Sequence, residues 1–427
     1  IQLLPAQMQQ LLTMNGVILL KEYDRRYPYE NLASHVIGIT GREDRGLEGI
    51  EYRFDDILKQ KQDLLGADII LSIDRDIQQA VEEELKFAVL KENAKSGTVV
   101  IMNVENGDIL SLANYPDYNI QDYRNLSREE FAARFKNLAV SSSDEIGSSF
   151  KAFTISILAE LNLIDLNKVY DCRGYYKVEG GETIKDTAVF GKIKFPQVVK
   201  VSSNVGMIEA AMTIPKRKYY DFLQMLGFME KTGIELPYEN SKVFRSYDMF
   251  RNQSRASVAI GQEIGVTPIQ VVTAAAALAN GGYLVEPRIV LEIRRDNTVV
   301  KKFEKKVKRK IFSEQTNKMV WELLSKVLEK GGTGYHANLT LGGRKLNIVG
   351  KTGTAQVFDP RLRRYSEFLR NTSFLGFIKR PRNTYVAFVI VRQPRRDPEH
   401  STGSTIAVPL FHKIMSTILD RYGSRMP

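Results

Sequence analysis

Apolar positions in this chain recur with two periods, and the change between them divides it. Residues 1–66 keep no sustained apolar period. Tyr27-Pro28, Gly38, Gly41, Gly46 and Gly49 punctuate short segments there, and such residues interrupt regular structure. From Ala67 the pattern sharpens. Residues 68–73 (DIILSI) predict a strand, and residues 76–90 set Ile77, Ala80, Val81, Leu85 and Ala88 or Val89 on one helical face. Residues 98–103 (TVVIMN) and 108–113 (DILSLA) flank Val104-Glu105-Asn106-Gly107. That arrangement predicts a hairpin, because Asn and Gly both tolerate positive φ.

A helix is predicted over 148–162, opening at Ser148-Ser149. Another is predicted over 268–279 (PIQVVTAAAALA), stopped by Asn280-Gly281-Gly282. Residues 345–349, 373–378 and 384–391 are rich in Val, Ile and Phe and predict strands. A last helix is predicted over 406–422. Strands near both ends with helices between predict a mixed α/β (α+β) fold. Its sheet would draw strands from distant parts of the chain and carry helices on its faces. No internal repeat or low-complexity stretch is visible.

Composition narrows the class. The 427 residues are 43% hydrophobic and 26% charged, ordinary for a folded chain of two or three domains. The sequence has no apolar run of about 20 residues to span a bilayer and no visible signal peptide. It opens on Ile1-Gln2-Leu3-Leu4 and reads as a piece of a longer protein. A single cysteine, Cys172, excludes an intrachain disulfide. The net charge of +11 is clumped at residues 301–310 (KKFEKKVKRK), at Arg361-Leu362-Arg363-Arg364 and at residues 392–396 (RQPRR). Solvated loops and strand ends account for such clusters; attraction to anionic lipid headgroups or wall polymer is the sharper reading. No nucleic-acid module is present, so nucleic acid is not an expected partner. No HExxH or comparable ligand spacing occurs, so no metal and no cofactor is expected.

Three short motifs carry the chemistry: Ser148-Ser149-Phe150-Lys151, then Ser202-Ser203-Asn204, then Lys351-Thr352-Gly353-Thr354. Alone, a pattern with two fixed positions turns up about once or twice by chance in such a chain; the ordered set is far rarer. A serine hydroxyl needs a base to attack. The chain has four histidines, none in a nucleophile-elbow frame. Lys151, one helical turn after Ser148, offers another base. A lysine serves only if burial or a neighbouring cation lowers its pKa, and Lys351 is a candidate for that cation. Ser202 could pass a proton to a leaving amine, and Asn204 could hold Lys151 and a substrate amide. Lys-Thr-Gly occurs twice. Lys231-Thr232-Gly233 reads as a helix exit with Gly233 as the stop. Lys351-Thr352-Gly353-Thr354 follows a strand and is taken as the functional copy. Strand alternation puts Lys351 and Gly353 on one face and the two threonines on the other. A twist or bulge at the glycines would have to relax that for all to serve one ligand, which could lie along the strand edge.

This ordered set resembles the signature of penicillin-binding proteins and serine β-lactamases. Arg26-Tyr27-Pro28, residues 33–38 (ASHVIG) and residues 46–51 (GLEGIE) resemble the pedestal of class B penicillin-binding proteins. Ser72-Ile73-Asp74 with Gln78, Gly261-Gln262, Thr267-Pro268 with Gln270, and Ala279-Asn280-Gly281-Gly282 resemble their transpeptidase domain. Ser202-Ser203-Asn204-Val205-Gly206 is similar to the division-type branch. The resemblance implies a central antiparallel sheet flanked by helices, with a smaller pedestal over 1–66 and a transpeptidase domain over 67–427. It implies cross-linking of peptidoglycan stem peptides at the septum, with D-Ala-D-Ala as donor and a neighbouring amine as acceptor, and acylation by β-lactams. Ser148 would be the nucleophile, Lys151 its base, Ser202 and Asn204 a relay, and Lys351 an electrostatic tuner. Ser203, Thr352, Gly353 and Thr354 would bind substrate, and the backbone N–H groups of Ser148 and Thr354 would form the oxyanion hole. The resemblance also implies an extracytoplasmic catalytic domain, a single-pass inner-membrane anchor missing from this chain, and a division-complex membrane glycosyltransferase as partner. Ile146-Gly147 stands where the family usually has Pro-Gly, and Asn137-Leu138 where it has Asn-Arg. Two other readings compete. A β-lactamase would use water as acceptor, but such enzymes are usually one domain without this N-terminal region. A non-enzymatic β-lactam sensor or scaffold would not need an intact motif set.

Overall fold

The structure, a computed structural model, describes residues 5–16, 25–41, 44–59, 66–241, 244–359, 361, 364–395, 397 and 399–423. The opening Ile1-Gln2-Leu3-Leu4 and Leu362, Arg363 and Arg396 of the basic clusters lie outside the described residues. The N-terminal region forms short helices, Ser34–Ile37, Gly49–Arg53 and Asp55–Leu58. Its Ala33, Val36 and Ile50 are buried in the same apolar cluster as the central sheet. Ile39 packs in a smaller cluster with Tyr118, Ile120 and Phe135.

Helix α1 (Arg75–Lys91) is capped by the Asp74 side chain and buries Ile77, Ala80, Val81, Leu85 and Val89, the face its periodicity predicts. The predicted hairpin is β1 (Ser96–Asn103) and β2 (Ile109–Tyr115), antiparallel. Of its Asn-Gly pair only Gly107 takes positive φ (86°); the Asn103 and Asn106 side chains instead accept from the Glu105 and Asp108 N–H groups. The helix predicted from 148 begins later. Gly147–Phe150 is a 3₁₀ turn, and α2 proper is Lys151–Glu160. Its residues 151–159 are all buried, as expected of a helix apolar on every side.

Strand β3 (Thr183–Lys185) is followed by a short strand, Gly191–Lys194, that runs directly into α3 (Phe195–Val201), and α4 (Asn204–Ala211) comes next. Helix α5 (Pro268–Ala276) opens with a Thr267–Gln270 capping box. It ends three residues before the predicted stop because residues 277–279 switch to tighter i→i−3 bonds. The strand predicted over 345–349 starts at Asn347 and runs on as β4 (Asn347–Asp359), followed by β5 (Arg364–Lys379) and β6 (Thr384–Arg392). After a π-helical turn (Gly403–Ala407), α6 (Val408–Tyr422) closes the fold.

The sheet order is β4-β5-β6-β1-β2, antiparallel throughout. Every residue of β1 and β6 is buried, so both faces are covered. Helices α1 and α6 lie on one face and press close at glycines: a Cβ on Gly97 would sit 2.6 Å from Leu85, and one on Gly376 2.5 Å from Phe411. Helices α5 and α2 pack on the other. Strand β4 is an edge, and the motif strand therefore keeps one side unpaired by any other strand of this sheet.

One buried ion pair ties the segment before Ser148 to this sheet. Arg392, at the end of β6 and 5% exposed, donates to Asp144 (2.7 and 2.9 Å) and to Thr98 (2.8 Å). Removing one partner strands the other charge in the interior. Arg392→Met should therefore lower stability by about 3 kcal/mol, read as a fall in melting temperature by calorimetry; an unchanged melt would contradict this account.

Candidate active site

The SxxK and SxN motifs meet at a buried amine. Lys151 heads α2 with 0% exposure. Its Nζ donates to Ser202 O (2.7 Å), Asn204 Oδ1 (2.8 Å) and Ser203 O (3.1 Å), with Ser202 Oγ at 3.5 Å. A buried amine without such acceptors would be costly. The acceptors converge because α3 stops abruptly. Ser202 takes φ 62° at its C-terminus, a left-handed turn that disfavours a residue with a Cβ by about 1 kcal/mol. Ser203 then caps α4, accepting from Gly206 N.

Lys351, also 0% exposed, approaches from β4 and donates to Ser202 Oγ (2.7 Å) and Thr352 O (3.2 Å). The Ser202 oxygen thus accepts from amines, leaving its own proton to be donated elsewhere. The β4–β5 register is unbroken from Asn347 to Gln356 and shifts only between Gln356 and Phe358. No bulge relaxes the motif glycines, so strand alternation stands. The Lys351 and Gly353 side faces the Ser148 loop. A Cβ on Gly353 would sit 2.2 Å from Ile146 O, 2.3 Å from Ser373 Oγ and 2.6 Å from Ser149 Oγ. The threonines face the other way: Thr352 Oγ1 pairs with Thr333 Oγ1 (2.7 Å), and Thr354 Oγ1 accepts from Gly403 N (3.0 Å).

Ser148 sits half-buried in the 3₁₀ turn. Among the described residues its hydroxyl has no hydrogen-bond partner; Lys151, expected beside it, is bonded to the Ser202–Asn204 oxygens. The loop is held instead by its neighbours. Gly147 has φ 54°, and a Cβ there would sit 2.3 Å from Thr354 O, so the backbone at 147–148 rests on that of Thr354. Ser149 Oγ pairs with Ser373 Oγ (2.9 Å) and donates to Lys351 O (3.2 Å), and Ser373 donates to Ile146 O (3.0 Å).

Burial is the main cause depressing both amines. It holds the Lys151 ammonium down to about 7, against an upward pull from Asp186. Lys351 is held well below its ordinary value by burial and then by repulsion from Lys151, a repulsion that the two amines share. Two amines sealed together cannot both stay charged at neutral pH.

The motif residues are thus brought together, with Asn204 and Thr354 opening on a polar cleft of about 930 Å³ that Asp186, Gln262, Tyr365 and Arg370 also line. A smaller, more apolar cavity of about 300 Å³, lined by residues including His35, Phe131 and Tyr238, holds none of them. Ser203, expected to touch substrate, is fully buried, and its hydroxyl donates to Asp186 (2.5 Å). Sequence reasoning missed Asp186, Thr333 and Ser373. Asp186 and Thr333 lie 17 and 19 residues from the motif residues they bond, and Ser373 lies 224 from Ser149; none sits in a local pattern of its own. The second tripeptide is not a helix exit: the helix before it, Lys216–Met225, has ended, and Thr232 N and Gly233 N donate to Glu239.

Residues 97–416 match the family described as Penicillin binding protein transpeptidase domain. The chain is 31% identical to stage V sporulation protein D of Bacillus subtilis, over 96% of this chain and 66% of that protein. It is 30% identical to the probable peptidoglycan D,D-transpeptidase PenA of Neisseria meningitidis, over 96% of this chain and 71% of that protein. Its fold is similar to that of penicillin-binding protein 3 from Mycobacterium tuberculosis, crystallised with aztreonam, with a TM-score of 0.83 and 26% identity over 93% of this chain and 90% of the other.

Isotope-labelled lysine NMR tests the electrostatics. A resonance lost in Lys151→Arg should titrate near pH 7, far below the solvent value of a lysine. Titration of every lysine near the solvent value of about 10.4 would refute burial as the controlling effect.

Proposed function

Because the chain belongs to the penicillin-binding protein transpeptidase family, we propose that it cross-links peptidoglycan stem peptides through an acyl-enzyme on Ser148. The observation that carries this reading is the convergence of two buried lysines on Ser202 beside a half-exposed serine. Neutral Lys151 takes the Ser148 proton as Oγ bonds to the carbonyl carbon of the D-Ala-D-Ala bond. The Ser148 hydroxyl turns toward Lys151 as substrate enters. The backbone N–H groups of Ser148 and Thr354 receive the developing oxyanion, which the Gly147–Thr354 backbone contact supports. Ser202, held by Lys351, donates its free proton to the departing D-Ala amine and takes in return the proton that Lys151 gained; an amine of a neighbouring stem peptide then takes the acyl group, and the proton it loses returns through the same groups to Ser148, which is freed. Thr354, which opens on the cleft, is placed at the carboxylate end of the site, with Thr352 supporting it through Thr333 and Gly353 giving the Ser148 loop room; Ser203 supports α4. A β-lactam enters the same way and stays as a slow ester.

Residues 1–66 are read as the C-terminal part of a pedestal and residues 67–427 as the transpeptidase domain. In the full-length protein we place an inner-membrane anchor, an extracytoplasmic catalytic domain and a division-complex membrane glycosyltransferase as partner. Septal synthesis is favoured by the Ser202-Ser203-Asn204 motif. The likeness to stage V sporulation protein D favours a second setting, spore formation, which complementation of each function separates.

Brief incubation with a penicillin should give one stable adduct by intact mass, mapped to Ser148 and absent in Ser148→Ala. An adduct that vanishes as drug is consumed would mean a β-lactamase, and no adduct would overturn the acyl-enzyme reading. Lys151→Ala should slow acylation about 100- to 10,000-fold. Because the base must be neutral, the wild-type acylation rate should climb through pH 7, the Lys151 midpoint, and fall as pH drops below it.

A further inference from the structure

The side chain that most fully supports the Ser202–Asn204 turn belongs to none of the three motifs. Asp186 follows β3, and its own N–H donates to Gly174 O (2.8 Å). Its carboxylate accepts from Asn204 N (2.6 Å), Ser203 Oγ (2.5 Å) and Val205 N (3.4 Å). These are groups of the first turn of α4, where a helix favours negative charge. The preceding residue completes the clamp, since Lys185 O accepts from Asn204 Nδ2 (3.0 Å), which turns Asn204 Oδ1 toward Lys151.

One peptide unit joins the two charges. The carbonyl of Ser203 accepts from Lys151 Nζ, and the N–H of the same peptide bond, that of Asn204, donates to Asp186. Hydrogen bonds in such a chain polarise one another. We infer that Asp186 is a positioning residue for acylation: through the Ser203–Asn204 peptide and the Asn204 amide it aims the oxygens that hold Lys151, and it supplies negative charge facing that amine. The inference rests on the acyl-transfer reading of Ser148 and Lys151.

The other titratable groups facing Lys151 are Lys351 of β4 and Cys172 of the strand Val169–Cys172; Glu209 of α4 faces Cys172. Cys172 also bonds Ser203 and Gly206 and acts on Lys151 against the effect of burial, but burial pushes its thiol up; among the described residues Asp186 is the carboxylate that both bonds the turn and acts on Lys151. Removing its charge stabilises the neutral amine, so the base form persists to lower pH, while the loosened turn aims it less well.

The test is the acylation rate by a fluorescent penicillin across pH, for the wild type, Asp186→Asn and Asp186→Glu, with melting curves to confirm folding. Asp186→Asn should move the midpoint of the acid limb down by about one pH unit and lower the plateau about tenfold. Asp186→Glu should keep the limb in place with a reduced plateau. A folded Asp186→Asn with an unmoved midpoint overturns the inference, whatever its plateau, because a purely structural role changes rate without changing titration. If Asp186→Asn does not fold, a downward shift in the charge-preserving Asp186→Glu overturns it equally. Failure of the wild type to be acylated on Ser148 would instead strike the underlying reading.

Discussion

The site rests on sealing two lysine amines, Lys151 and Lys351, in the interior at 0% exposure. Buried amines must find oxygen partners or lose their charge, and much of the local structure follows from that demand. Helix α3 breaks at a left-handed Ser202 so that carbonyls from two successive residues, rather than side chains alone, can reach Lys151. The Ser202 hydroxyl lies within reach of both amines. A carboxylate bonded directly to either lysine would have satisfied the charge more simply. It would also have held the amine protonated and useless as a base. Carbonyls and hydroxyls accept hydrogen bonds without fixing the proton.

The second constraint is steric. Gly147, Gly261 and Gly353 let three stretches of backbone touch where side chains would hold them apart. A Cβ on Gly261 would lie 2.0 Å from Gly147 O, one on Gly147 2.3 Å from Thr354 O, and one on Gly353 2.2 Å from Ile146 O. The nucleophile's turn is thereby wedged between the edge strand and the segment after residues 252–259, and Ser149 and Ser373 pin it from beneath. Ser148 is left as the partly exposed member of a rigid turn. That is a fitting state for a group that must meet an incoming carbonyl.

Much of this was legible in the chain. Periodicity gave α1, the β1–β2 hairpin and the C-terminal strands, because each buries a face with a simple repeat. Motif order gave the residues that meet at the amines. The misses share a cause. The 3₁₀ turn before Lys151, the early end of α5 and the long run of β4 through its glycines are set by contacts with distant backbone, which no local window contains. Asp186 and Thr333 escaped notice for the same reason: an isolated acid or threonine in a loop is common, and its partner is visible only once the chain has folded.

The sheet also sets when the site can exist. Thr98 on β1 and Arg392 on β6 are hydrogen-bonded across 294 residues of sequence. The early hairpin is therefore made long before its central neighbour emerges from the ribosome, and it must wait with an apolar, unpaired strand. The motif strand arrives later still than the serine it serves. A chain halted anywhere before β4 would carry Ser148 without Lys351 or its edge, chemically inert and prone to clump. Competence to react is conferred only once β4, β5 and β6 have joined the early hairpin, which makes reactivity itself a report that the sheet is assembled.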